Sequence, residues 1–185
     1  MDETAERIAA ATFELHASIG PSNTTISAIA EHAGVQRLTV YRHYPDELSL
    51  FRACVHHGLQ KHPMPDVAEW SGIKDPAERL RTGLLAMYRY YSGTAEVWSN
   101  ILPDIGRIPA LHEANADTFK RFGAIFQSLA SGWGLRGARK RKLEAAIWLA
   151  IQFPTWQTIV GQRELSNEEA VEVMAGSAEN SRSGR

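Results

Sequence analysis

The side chains best suited to bind a charged partner are concentrated in one short predicted helix. It presents cations and a hydroxyl over most of its surface, from Arg37, Thr39, Arg42 and His43. Val40 and Tyr44 share one face, because residues at i and i+4 lie on the same side of a helix. A short helix that buries so little of itself suits the recognition helix of a helix-turn-helix, whose outer face enters the major groove of DNA.

The residues before this helix predict the other half of that motif. Thr25 is a good N-cap, because its hydroxyl can accept a backbone N–H that the first helical turn leaves unpaired. Apolar residues then recur at helical spacing, at Ile26, Ile29, Ala30 and Ala33. Gly34 follows where a C′ residue needs a positive φ, which glycine adopts without a Cβ clash. Val35 fills the corner, and the second helix is expected to begin near Gln36 or Arg37.

The stretch TTISAIAEHAGVQRLTVYRHY resembles the TetR family of one-component transcriptional repressors. The matched positions are Thr24, Thr25, Ile29, Ala30, Ala33, Gly34, Val35, Thr39, Tyr41 and Tyr44. The resemblance covers the first 60 or so residues, and the rest of the chain is similar only in helix pattern and length. It implies an all-α protein of about nine helices, with an N-terminal three-helix helix-turn-helix domain and a C-terminal bundle that binds a ligand and dimerises.

The resemblance also implies which residues contact DNA. Phosphate contacts are expected from Thr25, Ser27, Thr39, Tyr41 and His43. Base-edge contacts are expected from Gln36, Arg37 and Leu38, where the paired donors and acceptors of Gln suit adenine and those of Arg suit guanine. Arg42 is left open between the DNA backbone and solvent, and Tyr41 between a phosphate and the core. Protonation of His43 near its ordinary pKa would strengthen its phosphate contact.

The charge of the predicted DNA-reading domain runs against tight DNA binding. The whole chain has a net charge of −1, and its first 62 residues hold five Lys and Arg against seven Asp and Glu. Because DNA affinity comes largely from cation–phosphate contacts, this domain must depend on where its cations lie. The family often carries a Lys where this chain has Glu47, and a carboxylate there is repelled by DNA. An all-helical ligand-binding or interaction protein with weak or lost DNA binding is therefore the alternative.

Helical periodicity and chain breaks predict the elements that position the motif. A first helix over residues 3–18 carries a stripe of Ile8, Thr12, Leu15 and Ile19, with His16 expected as a packed core histidine. Pro45 ends the recognition helix, and Asp46 caps a linking helix to about Lys61, with Leu48, Phe51, Val55 and Leu59 inward. The predicted domains are 1–46 for DNA binding and 47–178 for effector binding and dimerisation, with a disordered tail at 179–185.

The second part of the chain predicts five more helices. Their expected ranges are Pro76 to about Tyr91, a short helix around Trp98 ended by Pro103, Pro109 to about Ser131, Arg136 to about Val160 with a kink at Pro154, and a last helix capped by Ser166 or Asn167. From Leu143 to Phe153 the fourth of these is apolar on nearly every side, so it must be buried on every side. One face can pack on its own body and the other on a second chain.

This pattern predicts a homodimer, joined through the apolar helix after Leu143 and the last helix in a two-fold, four-helix contact. Two identical heads would then read half-sites about 34–36 Å apart in a palindromic operator of double-stranded DNA. The basic run Arg136 to Lys142 is expected to be a solvated helix start, with carboxylates near it because cations are unfavourable at a helix N-terminus.

Aromatic residues suggest where a small-molecule effector would bind. The predicted contacts, with Asn100 and Gln152 as polar anchors, are Tyr88, Trp98, Asn100, Phe122, Phe126, Trp148, Gln152 and Trp156. Trp148, Gln152 and Trp156 fall at i, i+4 and i+8, and so could line a pocket from one helix face. Each aromatic could instead be core, which is the commoner role. Because the set carries few charges, an apolar or aromatic effector is expected, of unknown identity.

Several other classes are excluded by missing motifs. The lone Cys54 allows no internal disulfide and suits a reducing cytoplasm, and the acidic N-terminus MDETAERIAA is no signal peptide. No apolar run approaches the roughly 20 residues of a membrane span. His56, His57 and His62 lack the spacing of a metal site, so no metal or cofactor is expected. No di-iron, zinc-protease, phosphate-loop or nucleophile-elbow motif is present, and we expect no catalytic residue and no enzyme.

Overall fold

The computed structural model describes residues 2–180, and within that range it contains ten α-helices and no strand, confirming the all-α class. The helices are α1 Glu3–Ile19, α2 Ile26–His32, α3 Arg37–His43, α4 Glu47–Lys61, α5 Pro76–Ile105, α6 Pro109–Ala114, α7 Ala116–Ala130, α8 Gly137–Ala150, α9 Phe153–Trp156 and α10 Asn167–Asn180. Short 3-10 turns lie at Pro21–Asn23 and Val67–Glu69. No helix among residues 2–180 is long and apolar enough to cross a bilayer.

The chain divides into two compact units. The first holds the residues up to Pro63 together with Thr94–Phe119, and the second holds Met64–Gly93 together with the described residues from Lys120 onward. Helix α5 belongs to both, and its backbone leaves helical geometry at Thr94, where φ is −131° and ψ is 17°. The two units are defined by which residues pack together. The predicted boundary at residue 46 instead separates a DNA-binding domain from an effector-binding domain, and it stays a prediction.

In the first unit, α1, α2 and α3 enclose a small apolar core. Its buried members are Ile8, Ala11, Ile29, Ala30, Ala33, Val40 and Leu50. The local predictions for this motif are confirmed, since the Thr25 hydroxyl accepts the N–H of Ala28 at 3.1 Å and Gly34 has φ +64°. Gln36 is the N-cap of α3, so the recognition helix begins at Arg37 as expected.

Helix α1 buries a different residue at its C-terminal end from the one predicted. Ile8 and Thr12 are buried, but Ile19 is exposed, and the stripe continues through His16 instead. The His16 ring lies 5.4 Å from the Phe51 ring, and its Nδ1 is 3.5 Å from the Cys54 sulfur. The expectation of a core histidine is confirmed, and α1 rotates its buried face toward α4 because α4 supplies the covering side chains.

Helix α4 is capped by Asp46, whose side chain accepts the N–H of Ser49 at 2.7 Å. Its buried residues are Leu50, Phe51 and Cys54, whereas Leu48, Val55 and Leu59 are only partly buried, so the predicted stripe was wrong except at Phe51. The reason is that α4 packs on two sides. Leu50 joins the core of the three N-terminal helices, while Phe51 joins Ile105 and Leu111 in a second cluster.

Burial of His16 is expected to make folding stability depend on pH. Desolvation lowers the pKa of His16 from 6.5 to about 4, with the charge of Asp104 opposing the shift weakly. Because the unfolded chain binds a proton in that window and the folded chain does not, stability falls as pH drops from 6.5 to about 4, by roughly 3 kcal/mol in all. Urea unfolding at pH 7 and pH 4.5 checks this: His16→Leu is expected to lose that part of the pH dependence, while His56→Leu on the exposed face of α4 keeps it.

In the second unit, two buried side chains hold the loop before α5 against α7. Trp70 is fully buried and donates from Nε1 to the Ser128 hydroxyl at 3.1 Å. The buried Arg79 guanidinium donates to the carbonyls of Ile73 at 2.8 Å and Ser128 at 3.1 Å. The prediction that a lone Trp on this loop folds back onto the body is confirmed.

The predicted helix from Arg136 to Val160 is not continuous, and Pro154 explains why. A proline ring clashes with the carbonyl four residues earlier, which here is Ala150, and α8 ends at that residue. The carbonyls left without helical partners are used by tyrosines: Tyr88 donates to Ala150 at 3.0 Å and Tyr91 to Ile151 at 2.7 Å. The expected kink is therefore a full break, with Pro154 in the first turn of α9.

Three other boundaries differ from prediction. Pro103 lies inside α5, and the two helices expected between Pro76 and Pro103 form one interrupted helix. The helix expected from Pro109 to Ser131 is broken at Asn115, whose side-chain amide donates to the Leu111 carbonyl at 2.9 Å. Helix α10 continues to Asn180, so the start of the predicted disordered tail is helical, and 181–185 lie outside the described residues.

Candidate nucleic-acid interface

The recognition helix α3 points one side chain inward and most of the others outward. Val40 is fully buried, while Leu38 is 75% exposed and Tyr41 is 45% exposed. Arg37 and Arg42 are also exposed. Tyr41 is therefore not a core residue, which removes the alternative left open for it.

The remaining predicted DNA contacts lie on or beside this helix and the start of α2. Thr25, Ser27 and Gln36 are exposed, and Thr39 and His43 are partly buried. The Thr25 hydroxyl oxygen already accepts the cap hydrogen bond, which leaves its proton free to donate to a phosphate. The assignment of these nine residues to DNA contacts stays a prediction, and their exposure is compatible with it.

Charges around α3 leave its arginines available. Within residues 2–180, neither Arg37 nor Arg42 forms an ion pair. His43 is different, because its Nδ1 lies 3.6 Å from a carboxylate oxygen of Asp2, the residue that caps α1. That carboxylate competes with a phosphate for His43, and the sequence contained no sign of it because the contact joins opposite ends of the domain.

Helix α3 is fixed to α1 at its C-terminal end. The Tyr44 hydroxyl donates to the Ala5 carbonyl at 2.9 Å, and the ring packs against the core of the three helices. Burial, with the charges of Asp2 and Glu6, raises the pKa of Tyr44, so the hydroxyl keeps its proton for this bond. This hydrogen bond joins the residue that follows α3 to the first turns of α1.

Glu47 is exposed in the first turn of α4, beside the N-cap Asp46. Acidic residues there interact favourably with the helix dipole, which gives Glu47 a structural reason to be present. The carboxylate is exposed at the position where the resemblance to the family expects a Lys, and its effect on DNA binding stays a prediction.

The predicted effector contacts are divided between the two compact units. Trp98 and Asn100 belong to the first compact unit and the other six to the second. Trp148, Gln152 and Trp156 do not share a helix face, because the helix breaks after Ala150. Trp148 is 48% exposed and packs edge-on against the Phe126 ring at 5.4 Å.

Several of these residues use their polar groups within the protein. Asn100 donates to the Ala17 carbonyl at 2.6 Å, and the Trp156 indole donates to the Asn167 side chain at 3.0 Å. Tyr88 is fully buried with its hydroxyl bonded to Ala150. Gln152 is the N-cap position of α9. Phe122 and Phe126 are partly buried on α7, and for them the ligand role stays a prediction.

No group of three or more His, Cys, Asp or Glu among residues 2–180 is close enough to hold a metal ion. Cys54 is buried, and burial raises the pKa of its thiol to about 12, which makes it a poor nucleophile.

A three-helix core that presents an exposed cationic helix behind a glycine turn defines a helix-turn-helix DNA-binding protein. Comparison with known proteins agrees. Residues 8–54 match the family model described as bacterial regulatory proteins, tetR family. No curated protein matches the sequence.

Solved structures match over nearly the whole chain. A Rhodococcus sp. protein assigned to the TetR family of transcriptional regulators has a TM-score of 0.65 at 18% identity, covering 98% of this chain and 100% of that one. A TetR transcription regulator from Haloarcula marismortui has 0.63 at 17%, covering 99% and 98%. FadR from Bacillus subtilis, solved with stearoyl-CoA, has 0.59 at 19%, covering 97% and 98%. Residues 8–54 thus resemble the N-terminal region of the tetR family, and the whole chain has the fold of the TetR-family regulators whose structures it matches.

Proposed function

We propose that this protein is a ligand-responsive transcriptional regulator, and specifically a repressor, that binds a palindromic operator as a homodimer. A small apolar or aromatic effector favours a spacing of the two heads that misfits the groove, and so releases the DNA. That is a shift between two states, and it requires the effector to bind one of them more tightly.

The observation that carries DNA binding is the outer face of α3. Its two arginines are exposed and form no ion pair within the described part of the chain, while Val40 anchors the helix in the core. A folded domain that leaves cations and donors unpaired on one short helix is suited to phosphates and base edges. The proposed base contacts come from three exposed residues at the start of this helix, Gln36, Arg37 and Leu38.

Dimerisation is supported by apolar side chains that the single chain leaves exposed in the second unit. Helices α8 and α10 pack together, and on them Leu149 is 57% exposed, Trp148 48% and Val173 50%. Ala145 is exposed on the same side of α8 as Leu149, one helical turn earlier. A second copy would cover these residues in a two-fold contact.

The effector class is supported by the apolar character of the aromatic residues in the second unit. Phe122 and Phe126 on α7 and Trp148 on α8 carry no charge, and Phe126 and Trp148 are in ring contact. The similar fold of Bacillus subtilis FadR holds stearoyl-CoA, whose chain is apolar. We extend only that apolar character to the effector of this protein.

A binding titration tests DNA recognition directly. Purified protein is titrated by fluorescence anisotropy against the DNA upstream of its gene and against shuffled DNA, at several salt concentrations. We expect preference for the upstream DNA of at least a thousandfold and a log–log salt slope of several units. Equal affinity for both DNAs would contradict the proposal and favour the ligand-binding or interaction protein that lacks DNA recognition.

Substitutions at Glu47 test whether its carboxylate weakens the binding of the protein to DNA. Glu47→Lys replaces a repelled carboxylate with a cation at the start of α4, and we expect operator affinity to rise about five- to tenfold and the salt slope to steepen by about one. Glu47→Gln, which only removes the charge, is expected to give a smaller rise with little change in slope. If neither variant changes affinity, Glu47 does not face the phosphates.

A further inference from the structure

Two side chains near the end of α5, Asn100 and Asp104, form hydrogen bonds with the end of α1 and the turn that follows it. From Thr94 onward this helix belongs to the first compact unit. Asn100 donates from Nδ2 to the Ala17 carbonyl at 2.6 Å, near the end of α1. One helical turn later, Asp104 accepts the backbone N–H of Ser22 at 2.8 Å through Oδ2. The two side chains thus contact the last turn of α1 and the middle of the connection from α1 to α2.

The turn that they hold is itself tightly bonded. The Asn23 side chain donates to the Ile19 carbonyl at 2.7 Å, and the Thr24 hydroxyl donates to the Gly20 carbonyl at 2.9 Å. Gly20 has φ +83°, and a Cβ there would lie 3.1 Å from the Asn100 carbonyl oxygen. These bonds tie the turn to the end of α1, and α5 approaches Gly20 so closely that a Cβ there would crowd the Asn100 carbonyl oxygen.

Asp104 is buried, yet it holds a negative charge at this turn. Burial by itself raises the pKa of a carboxyl, but hydrogen bonding by Ser22 outweighs it, helped by the charge of Arg107, and keeps the pKa of Asp104 below its ordinary value. The other titratable group near it is His16 of α1, which is neutral at pH 7. A charged acceptor makes a stronger hydrogen bond to a backbone N–H than a neutral one.

We propose that Asn100 and Asp104 are positioning residues for DNA recognition, acting through the turn between α1 and α2. This rests on the proposed function of the domain as an operator reader. Ser22, which Asp104 holds, lies three residues before Thr25, the N-cap and predicted phosphate contact of α2. Helix α2 packs on α3, so the place of this turn sets the direction in which Arg37 points.

The experiment compares Asp104→Ala with Asp104→Asn, because an asparagine oxygen can still accept the Ser22 N–H. We expect operator affinity to fall at least tenfold in Asp104→Ala and about two- to threefold in Asp104→Asn, which keeps an acceptor for Ser22 but loses the charge that strengthens the bond. Affinity for shuffled DNA is expected to change little, because the Lys and Arg residues that can contact phosphates are unchanged. Glu113→Ala, which breaks the exposed ion pair with Arg52 in the same unit, is the matched control and is expected to bind as the wild type.

A second readout does not need DNA. Hydrogen exchange of the free proteins is expected to be faster over residues 22–44 in Asp104→Ala, but not in Asp104→Asn or Glu113→Ala. Asn100→Ala, which loses the bonds to the Ala17 and Ser18 carbonyls but keeps Asp104, is expected to show the same change more weakly and serves if Asp104→Ala does not fold. Unchanged exchange over these residues in the folded variants overturns the inference.

The two proposals fail in different ways. If Arg37→Ala loses operator binding while Asp104→Ala and Asn100→Ala bind as the wild type, the positioning role is wrong and the proposed function stands. If the wild type itself does not prefer its operator, the proposed function is wrong, and the exchange measurement still decides whether these side chains order α2 and α3.

Discussion

Replacing Arg37 with alanine is expected to weaken operator binding about ten- to a hundredfold. The side chain is exposed at the first turn of α3 and forms no ion pair within the described residues, so its donors are available to a guanine edge. A bidentate arginine–guanine pair contributes about 1–3 kcal/mol of discrimination, and 1.4 kcal/mol is tenfold in affinity. Anisotropy titration against operator and shuffled DNA measures the loss, which we expect mainly for the operator.

Arg42→Ala is the matched control, since it removes the same exposed cation from the same helix. If Arg42 contacts only the backbone or solvent, its loss lowers affinity for both DNAs alike and makes the salt slope shallower by about one or less. Folding is expected to be unaffected by either substitution, because both side chains are exposed. An Arg37→Ala protein that bound the operator as tightly as the wild type would show that α3 is not the recognition helix.

Replacing Leu149 with glutamate is expected to convert the proposed dimer to a monomer. Its side chain is 57% exposed in the single chain, next to the exposed Trp148. Each leucine that a partner buries contributes about 1.5–3 kcal/mol, and two-fold symmetry doubles this for one substitution. The expected weakening is therefore roughly a hundredfold or more, before the cost of placing two carboxylates in an apolar contact. Sedimentation should then give the 20.5 kDa of one chain in place of twice that mass.

The same variant is expected to bind the operator at least a hundredfold more weakly, because two linked heads bind two half-sites with a high effective concentration and a single head does not. Ile19→Glu provides the comparison, since Ile19 is also an exposed apolar residue, at the end of α1 in the other compact unit. It is expected to remain a dimer. A dimeric Leu149→Glu protein would place the interface away from α8.

Features set by neighbouring residues were predictable from the sequence. The Thr25 and Asp46 caps, the positive φ of Gly34 and the start of α3 at Arg37 depend on hydrogen bonds and sterics within a few residues, and all four are confirmed. The inward direction of Val40 follows from helical spacing alone. These local rules were sufficient to identify the class of the N-terminal domain.

Features that depend on which element lies opposite were not predictable. The helical periodicity of α1 was compatible with burial of either Ile19 or His16. His16 is the buried one, because α4 packs against it through Phe51. Pro154 was predicted to kink the helix, whereas the structure shows a complete break. The break leaves two backbone carbonyls without helical partners, and the hydroxyls of Tyr88 and Tyr91 on α5 donate to them. Asn100 was expected to contact an effector, but its side-chain amide donates a hydrogen bond to the Ala17 carbonyl of α1.

The sequence by itself determined the helix-turn-helix and the residues that its recognition helix exposes, because spacing, caps and a glycine turn are properties of a short segment. Only the tertiary structure decided which polar side chains are used inside the protein and which remain available. It also decided that the end of α5 joins the DNA-reading domain, through hydrogen bonds between Asn100 and Ala17 and between Asp104 and Ser22. The partners in these two bonds are 83 and 82 residues apart in the sequence, so only folding brings them together and no local sequence pattern predicts the contact.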